Sequence, residues 1–171
     1  SHGIPWDIAF SSEDGFLSSY KVGGIEYLTD KLRPCFTRAL TEKDARILAG
    51  KEDDKWNAPE YRIKSKGLYP GCKWRVVYEM KWLGELEIIY YVNADASLEI
   101  EMNLYDLVTD APLQRFGMEF AIPGEYSDIE FYGRGPYPNY SDRCSSEMMG
   151  LYKQTVSEQF DYSYPRPQEC A

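Results

Sequence analysis

The chain has 171 residues, 43% of them hydrophobic and 27% charged, and its 28 acidic against 19 basic side chains give a formal charge of -9. That length suits one domain able to bury a core without disulfide staples, and the composition is that of a soluble globular protein. The basic residues are scattered rather than gathered into a stripe, which argues against nucleic-acid binding, and no apolar run approaches the roughly 20 residues needed to cross a bilayer.

Ser1-His2-Gly3 reads as an expression-tag scar, so residues 4–171 are expected to form one domain with its native start outside the chain. The first elements are strands at Phe16 to Val22 and Ile25 to Leu28, flanking Gly23-Gly24, a pair that can adopt the positive φ angles of a tight hairpin. Thr41 to Leu48 is the one helix the pattern supports, with Thr41 able to cap its first turn. Trp74 to Lys81 and Leu86 to Val92 are aromatic and β-branched strands joined near Gly84.

Leu98, Ile100, Met102 and Leu104 then alternate with Glu99, Glu101 and Asn103, and Phe116, Met118, Phe120 and Ile122 repeat the alternation. Period two marks strands with one buried and one wet face. Successive strands without intervening helices imply an all-β fold of antiparallel sheets packed face to face, with at most one short helix. No internal repeat or composition break divides the chain.

The last third is different in character. Phe131-Tyr132-Gly133-Arg134-Gly135-Pro136 runs through Asn139-Tyr140 to Asp142-Arg143. Backbone-permissive Gly and Pro around Arg, Asn, Asp and Tyr predict a rigid hydrogen-bonded loop rather than a strand. Tyrosine is abundant, with 15 copies, and Tyr132, Tyr137, Tyr140, Tyr162 and Tyr164 fall in or beside these loops. Such rings can stack on the apolar face of a pyranose, or pack in a core or an interface.

The chemistry on offer is limited. Glycoside hydrolysis needs two facing carboxyl groups, for which Glu119 and Asp142 are the natural candidates, yet an acid beside Arg115, Arg134 or Arg143 more often pins a loop by an ion pair. His2 is the one histidine, which counts against serine-type, cysteine-type and aldose-epimerase mechanisms. Cys35, Cys72, Cys144 and Cys170 lie far apart with no C-x-x-C pair, so a zinc site is not expected and free thiols are the simplest reading. Gly133 to Gly135 is followed by no Gly-Lys-Ser/Thr and carries no nucleotide signal.

Taken together, Phe131 to Pro136, Asn139-Tyr140, Asp142-Arg143, Gly150-Leu151-Tyr152 and Arg166-Pro167-Gln168-Glu169 resemble the ordered signature of the small-chain domain of glycoside hydrolase family 2 β-galactosidases. Upstream, Arg115-Phe116-Gly117-Met118-Glu119-Phe120 resembles that family's Arg-x-Gly-x-Glu-Phe strand, and Arg38-Ala39 with Thr41 and Asp44 resembles its Arg-Ala-Pro-Thr-Asp-Asn-Asp segment. Leu40, Lys43 and Pro138 depart from the pattern, where the family has Pro, Asn and commonly Glu.

The resemblance implies an antiparallel β-supersandwich of the galactose-mutarotase type, truncated at its C-terminal end. It implies that the nucleophile and acid/base are two glutamates on a separate (β/α)8 barrel, against which this segment packs and whose active site it helps shape. Catalytic and metal-binding residues are therefore not expected here. Arg134, Asn139, Tyr140, Asp142, Arg143 and Glu119 become candidates for carbohydrate binding or for an interface.

No cofactor is expected in this chain, any divalent or monovalent cations of the parent enzymes being bound elsewhere. The expected partners are the barrel and neighbouring domains, and a galactoside in the intact enzyme, with neither nucleic acid nor membrane. Two other readings stay open: an independent carbohydrate-binding module using aromatic platforms near Arg134 and Asn139, and an interaction domain with no ligand of its own. The compartment stays open between the cytoplasm and a bacterial periplasm.

Overall fold

The structure is a computed structural model that describes residues 4–38, 46, 56–109, 113–137, 145 and 147–159. The chain divides into two compact units, Ser1–Thr37 with Glu52–Pro123, and Arg38–Lys51 with Gly124–Ala171. Every strand pairing among the described residues is antiparallel and none closes into a barrel. The expected all-β class therefore holds. The helix expected over Thr41–Leu48 lies outside the described residues except for Arg46, which is helical.

Among its described residues the first unit holds three sheets. β1 (Trp6–Phe10), β2 (Leu17–Val22) and β3 (Ile25–Glu26) form one; β4 (Asp30–Cys35) and β9 (Gly117–Ala121) form a second; and β5 (Tyr61–Tyr69), β6 (Lys73–Met80), β7 (Gly84–Val92) and β8 (Leu98–Tyr105) form the third. The Gly23-Gly24 turn is as expected, with φ of +60° and +84°. β3 ends sooner than the sequence suggests because the Glu26 carboxylate, rather than a strand partner, accepts the Leu28 N–H at 3.1 Å and the Tyr20 N–H at 2.8 Å.

Period two decides where the core sits. Val76, Tyr78 and Met80 of β6 and Leu86, Ile88 and Tyr90 of β7 point to one face and are fully or almost fully buried. Leu17 and Leu32 meet them from the other two sheets, with Phe16 and Phe36 beside them just outside the strands, so the unit is a sandwich. Each such side chain contributes roughly 1.5–3 kcal/mol by leaving water. Aromatic rings give the contact its geometry: Phe10 stacks on Trp74 at 4.9 Å and meets Tyr90 edge-on at 5.0 Å, and Phe16 lies 5.2 Å from Tyr78. Burial pushes the Tyr61, Tyr78 and Tyr90 phenols up, and the Tyr78 hydroxyl donates to the Asp14 carbonyl at 2.7 Å.

The β6–β7 connection is a three-residue tip, Lys81-Trp82-Leu83, that closes at Gly84. Leu83 is fully buried, and its carbonyl accepts the Val108 N–H at 3.0 Å. Gly84 has φ +143° and lies so close to the chain leaving β8 that an added Cβ would sit 2.6 Å from the Tyr105 carbonyl and 2.9 Å from that of Asp106. Only glycine fits both restraints. Gly84→Ala should cost at least about 2 kcal/mol, because backbone must move. Gly24→Ala, which meets nothing within 4 Å, should cost about 1 kcal/mol from its positive φ alone. Thermal unfolding of the two variants checks the order; equal losses would contradict the close-approach argument.

The outer face of the four-stranded sheet carries a buried charge. Glu87 is 8% exposed and accepts Arg75 Nε at 2.6 Å, the Tyr105 hydroxyl at 3.1 Å and Asn103 Nδ2 at 3.3 Å. Burial raises its pKa, but the Arg75, Asn103 and Tyr105 hydrogen bonds together outweigh it and hold the carboxyl below its ordinary 4.5. A depressed folded pKa means stability that is complete above about pH 4.5 and is lost as pH falls through the lower folded value. Stability measured by urea unfolding from pH 7 down to 3 should therefore fall less steeply below pH 4.5 in Glu87→Gln than in the parent chain. Parallel curves would remove Glu87 from the account.

Candidate functional site

The structure describes two of the six candidate residues. Glu119 lies exposed on β9, directly across from Arg33 of β4. Arg134 lies in the second unit, where Nη1 donates to the Glu147 carbonyl at 3.3 Å. Asn139, Tyr140, Asp142 and Arg143 lie outside the described residues. Glu119 and Arg134 thus belong to separate units, each described by itself.

Of the run expected to be a loop, Phe131 to Gly135 is strand, while Asn139 to Arg143 lies outside the described residues. β10 (Asp128–Gly135) pairs along its whole length with β11 (Met148–Thr155) in a two-stranded ribbon. The glycines misled because they serve ring packing, not turning. Phe131 and Tyr152 face each other with centroids 5.5 Å apart, and a Cβ on Gly135 would meet both rings at 3.1 Å, while one on Gly150 would meet Tyr152 at 3.2 Å. Aromatic rings lying over glycines are a way of filling a strand face that has no side chains of its own.

On the opposite face of the ribbon, Tyr132 pairs with Leu151, Arg134 with Met149, and Glu130 with Lys153 at 2.6 Å. Tyr132, Leu151 and Met149 are 75%, 61% and 58% exposed. At the open end of the ribbon a hollow of about 530 Å3 is lined by Asp128, Glu130, Lys153 and Glu158. The Glu158 carboxyl is held below its ordinary value by the Thr155 N–H and hydroxyl, at 2.7 and 2.9 Å.

The first unit carries a groove that the sequence reading missed. It has a volume of about 570 Å3 and lies where β5 passes the β6–β7 tip. Trp82 stands at its lip, two-thirds exposed and with φ +64°, a left-handed conformation rare for a bulky residue. Around it Arg62 Nε donates to Glu79 at 2.6 Å, Lys64 pairs with Glu85, and Lys81 lies 3.4 Å from Glu60. The signal that could have found the groove is a tryptophan placed two residues before an obligatory glycine, at the tip of a hairpin rather than within a strand. Among the described residues no cluster of His, Cys, Asp or Glu is placed to hold a metal ion, and Cys35 and Cys72 are free.

Comparison with known proteins narrows the identity. Residues 2–171 match the family model described as beta galactosidase small chain. The chain is similar to a beta-galactosidase of Lactobacillus delbrueckii subsp. bulgaricus (29% identical over 176 residues) and one of Priestia megaterium (28% over 174); each alignment covers 98% of this chain. A beta-galactosidase of Streptococcus thermophilus is 27% identical over 175 residues. The chain spans about 17% of the length of these curated relatives. With the family's model matched over nearly every residue, the chain belongs to the β-galactosidase small-chain family.

Proposed function

We propose that this chain acts as a non-catalytic β-sandwich segment of a larger retaining β-galactosidase, packing against the catalytic barrel and helping to shape it. Its parent would hydrolyse terminal β-D-galactosides through two glutamates carried elsewhere. The observation that supports this reading best is the outer face of the β10–β11 ribbon. Tyr132, Leu151 and Met149 form an apolar row on a two-stranded ribbon, bordered by Arg134 and by the Glu130–Lys153 pair. An apolar row with a polar border is the anatomy of a contact surface. The small share of the relatives' length that this chain represents leaves ample neighbouring chain to cover it.

Glu119 and Arg134 then serve in surfaces and strand pairing rather than in bond breaking. Freed of its partner, the row should associate with itself. In sedimentation velocity the 171-residue chain should show a weight-average mass that rises with concentration, and Met149→Glu combined with Leu151→Glu should hold it at the monomer. A parent chain that stays monomeric at every concentration would contradict the contact role.

A further inference from the structure

We propose that the groove beside Trp82 is a binding site for a neutral pyranoside, separate from the contact surface above. Four observations converge on it. The volume, about 570 Å3, falls within the range of small-ligand clefts. Trp82 is solvent-exposed at its lip, so its ring is not used for core packing. Its backbone is held in the left-handed region, a conformation that Gly or Asn would adopt more cheaply, while Met80 and Leu83, which bracket Lys81-Trp82, are buried and fix the tip. Neither burial nor backbone preference accounts for a tryptophan at this place. A flat apolar surface presented to solvent does.

The polar groups of the groove define what would lie on that surface. Arg62 with Glu79, Lys64 with Glu85 and Lys81 with Glu60 are exposed pairs, of a kind that contributes little to stability. They nevertheless bring planar acceptors and multiple donors into the lining that Trp82 shares. With Asp106 added, the lining holds four carboxylates (Glu60, Glu79, Glu85, Asp106) against three cations (Arg62, Lys64, Lys81), a balance of 3 − 4 = −1.

Such a lining repels anions and has no concentrated charge for a cation. It offers alternating donors and acceptors to hydroxyl groups, while the indole face suits the C–H face of a sugar ring. A pyranoside is the ligand class that presents both features at once.

Two-dimensional 1H–15N NMR of the 171-residue chain tests this with methyl β-D-galactopyranoside, methyl β-D-glucopyranoside, glucuronate and, as an inert polyol, sorbitol. At least one of the neutral pyranosides should move the Trp82 indole N–H and the amides of residues 81–84 saturably, at concentrations where sorbitol moves neither. Glucuronate should bind more weakly. Trp82→Asn should weaken the response about tenfold or more, while its melting temperature equals or exceeds that of the parent chain, because Asn accepts the left-handed conformation. Absence of a saturable shift at the tip would overturn the proposal, as would glucuronate binding as well as the neutral sugars. Retention of binding by Trp82→Asn would also overturn it. The shift map of the parent chain decides the matter by itself if the variant is destabilised.

Discussion

The inner face of β6 and β7 is the constraint on which the rest of the larger unit depends. Tyr78, Tyr90, Val76, Ile88, Leu86 and Met80 lie side by side at full or nearly full burial, and three sheets share the surface they create. That face can form only if the two strands keep register, since a slip of one residue would turn Arg75, Glu79, Glu85 and Glu87 into the core. Gly84 holds the register at the tip. Its lack of a side chain lets the strand entry lie against the Tyr105 and Asp106 carbonyls, and Leu83 is drawn under it into the core.

A core fixed in this way sends charge to the opposite face and to the sheet edge. β5 is an edge strand whose Arg62, Lys64 and Lys66 keep its free side from pairing with another chain, and the bulge between Ile63 and Ser65 deforms that edge further. Arg62 and Lys64 also border the Trp82 groove, so edge protection and a candidate ligand surface share these two side chains. The glycine that closes the hairpin places the tryptophan that opens the groove. In the second unit the equivalent economy is in the ribbon: glycines under Phe131 and Tyr152 fill one face, and the other is left with Tyr132, Leu151 and Met149 in water.

How much of this was legible in the sequence follows from which forces leave a periodic trace. β6, β7 and β8 alternate because one face is buried and one is wet, and the Gly23-Gly24 hairpin is visible because positive φ selects glycine. β1 and β5 are edge strands whose alternation is short, Trp6, Ile8 and Phe10 in one and Tyr61 and Ile63 in the other, too brief a run to stand out from loop; β4 carries Pro34, which reads as a strand breaker unless the strand has a side on which no ladder bond is needed. β10 was misread because Gly135 and Gly150 are selected by close ring contact, which the composition of a local window cannot distinguish from a turn. Trp82 was missed for a related reason, since its conformation is imposed by its neighbours' burial and not by its own preference. The family signature was legible because it is a matter of ordered identities, and its candidates Asn139, Tyr140, Asp142 and Arg143 lie outside the described residues.

The account rests on the separation of this chain from the bond-breaking chemistry of its relatives. The most direct test is hydrolysis of a nitrophenyl β-D-galactoside by the purified 171-residue chain, followed alongside Glu119→Gln. Release of nitrophenol at the rate of the buffer alone, the same for both proteins, is the predicted result. Turnover by the parent chain that disappears in Glu119→Gln would place a catalytic carboxylate in this segment and contradict the account.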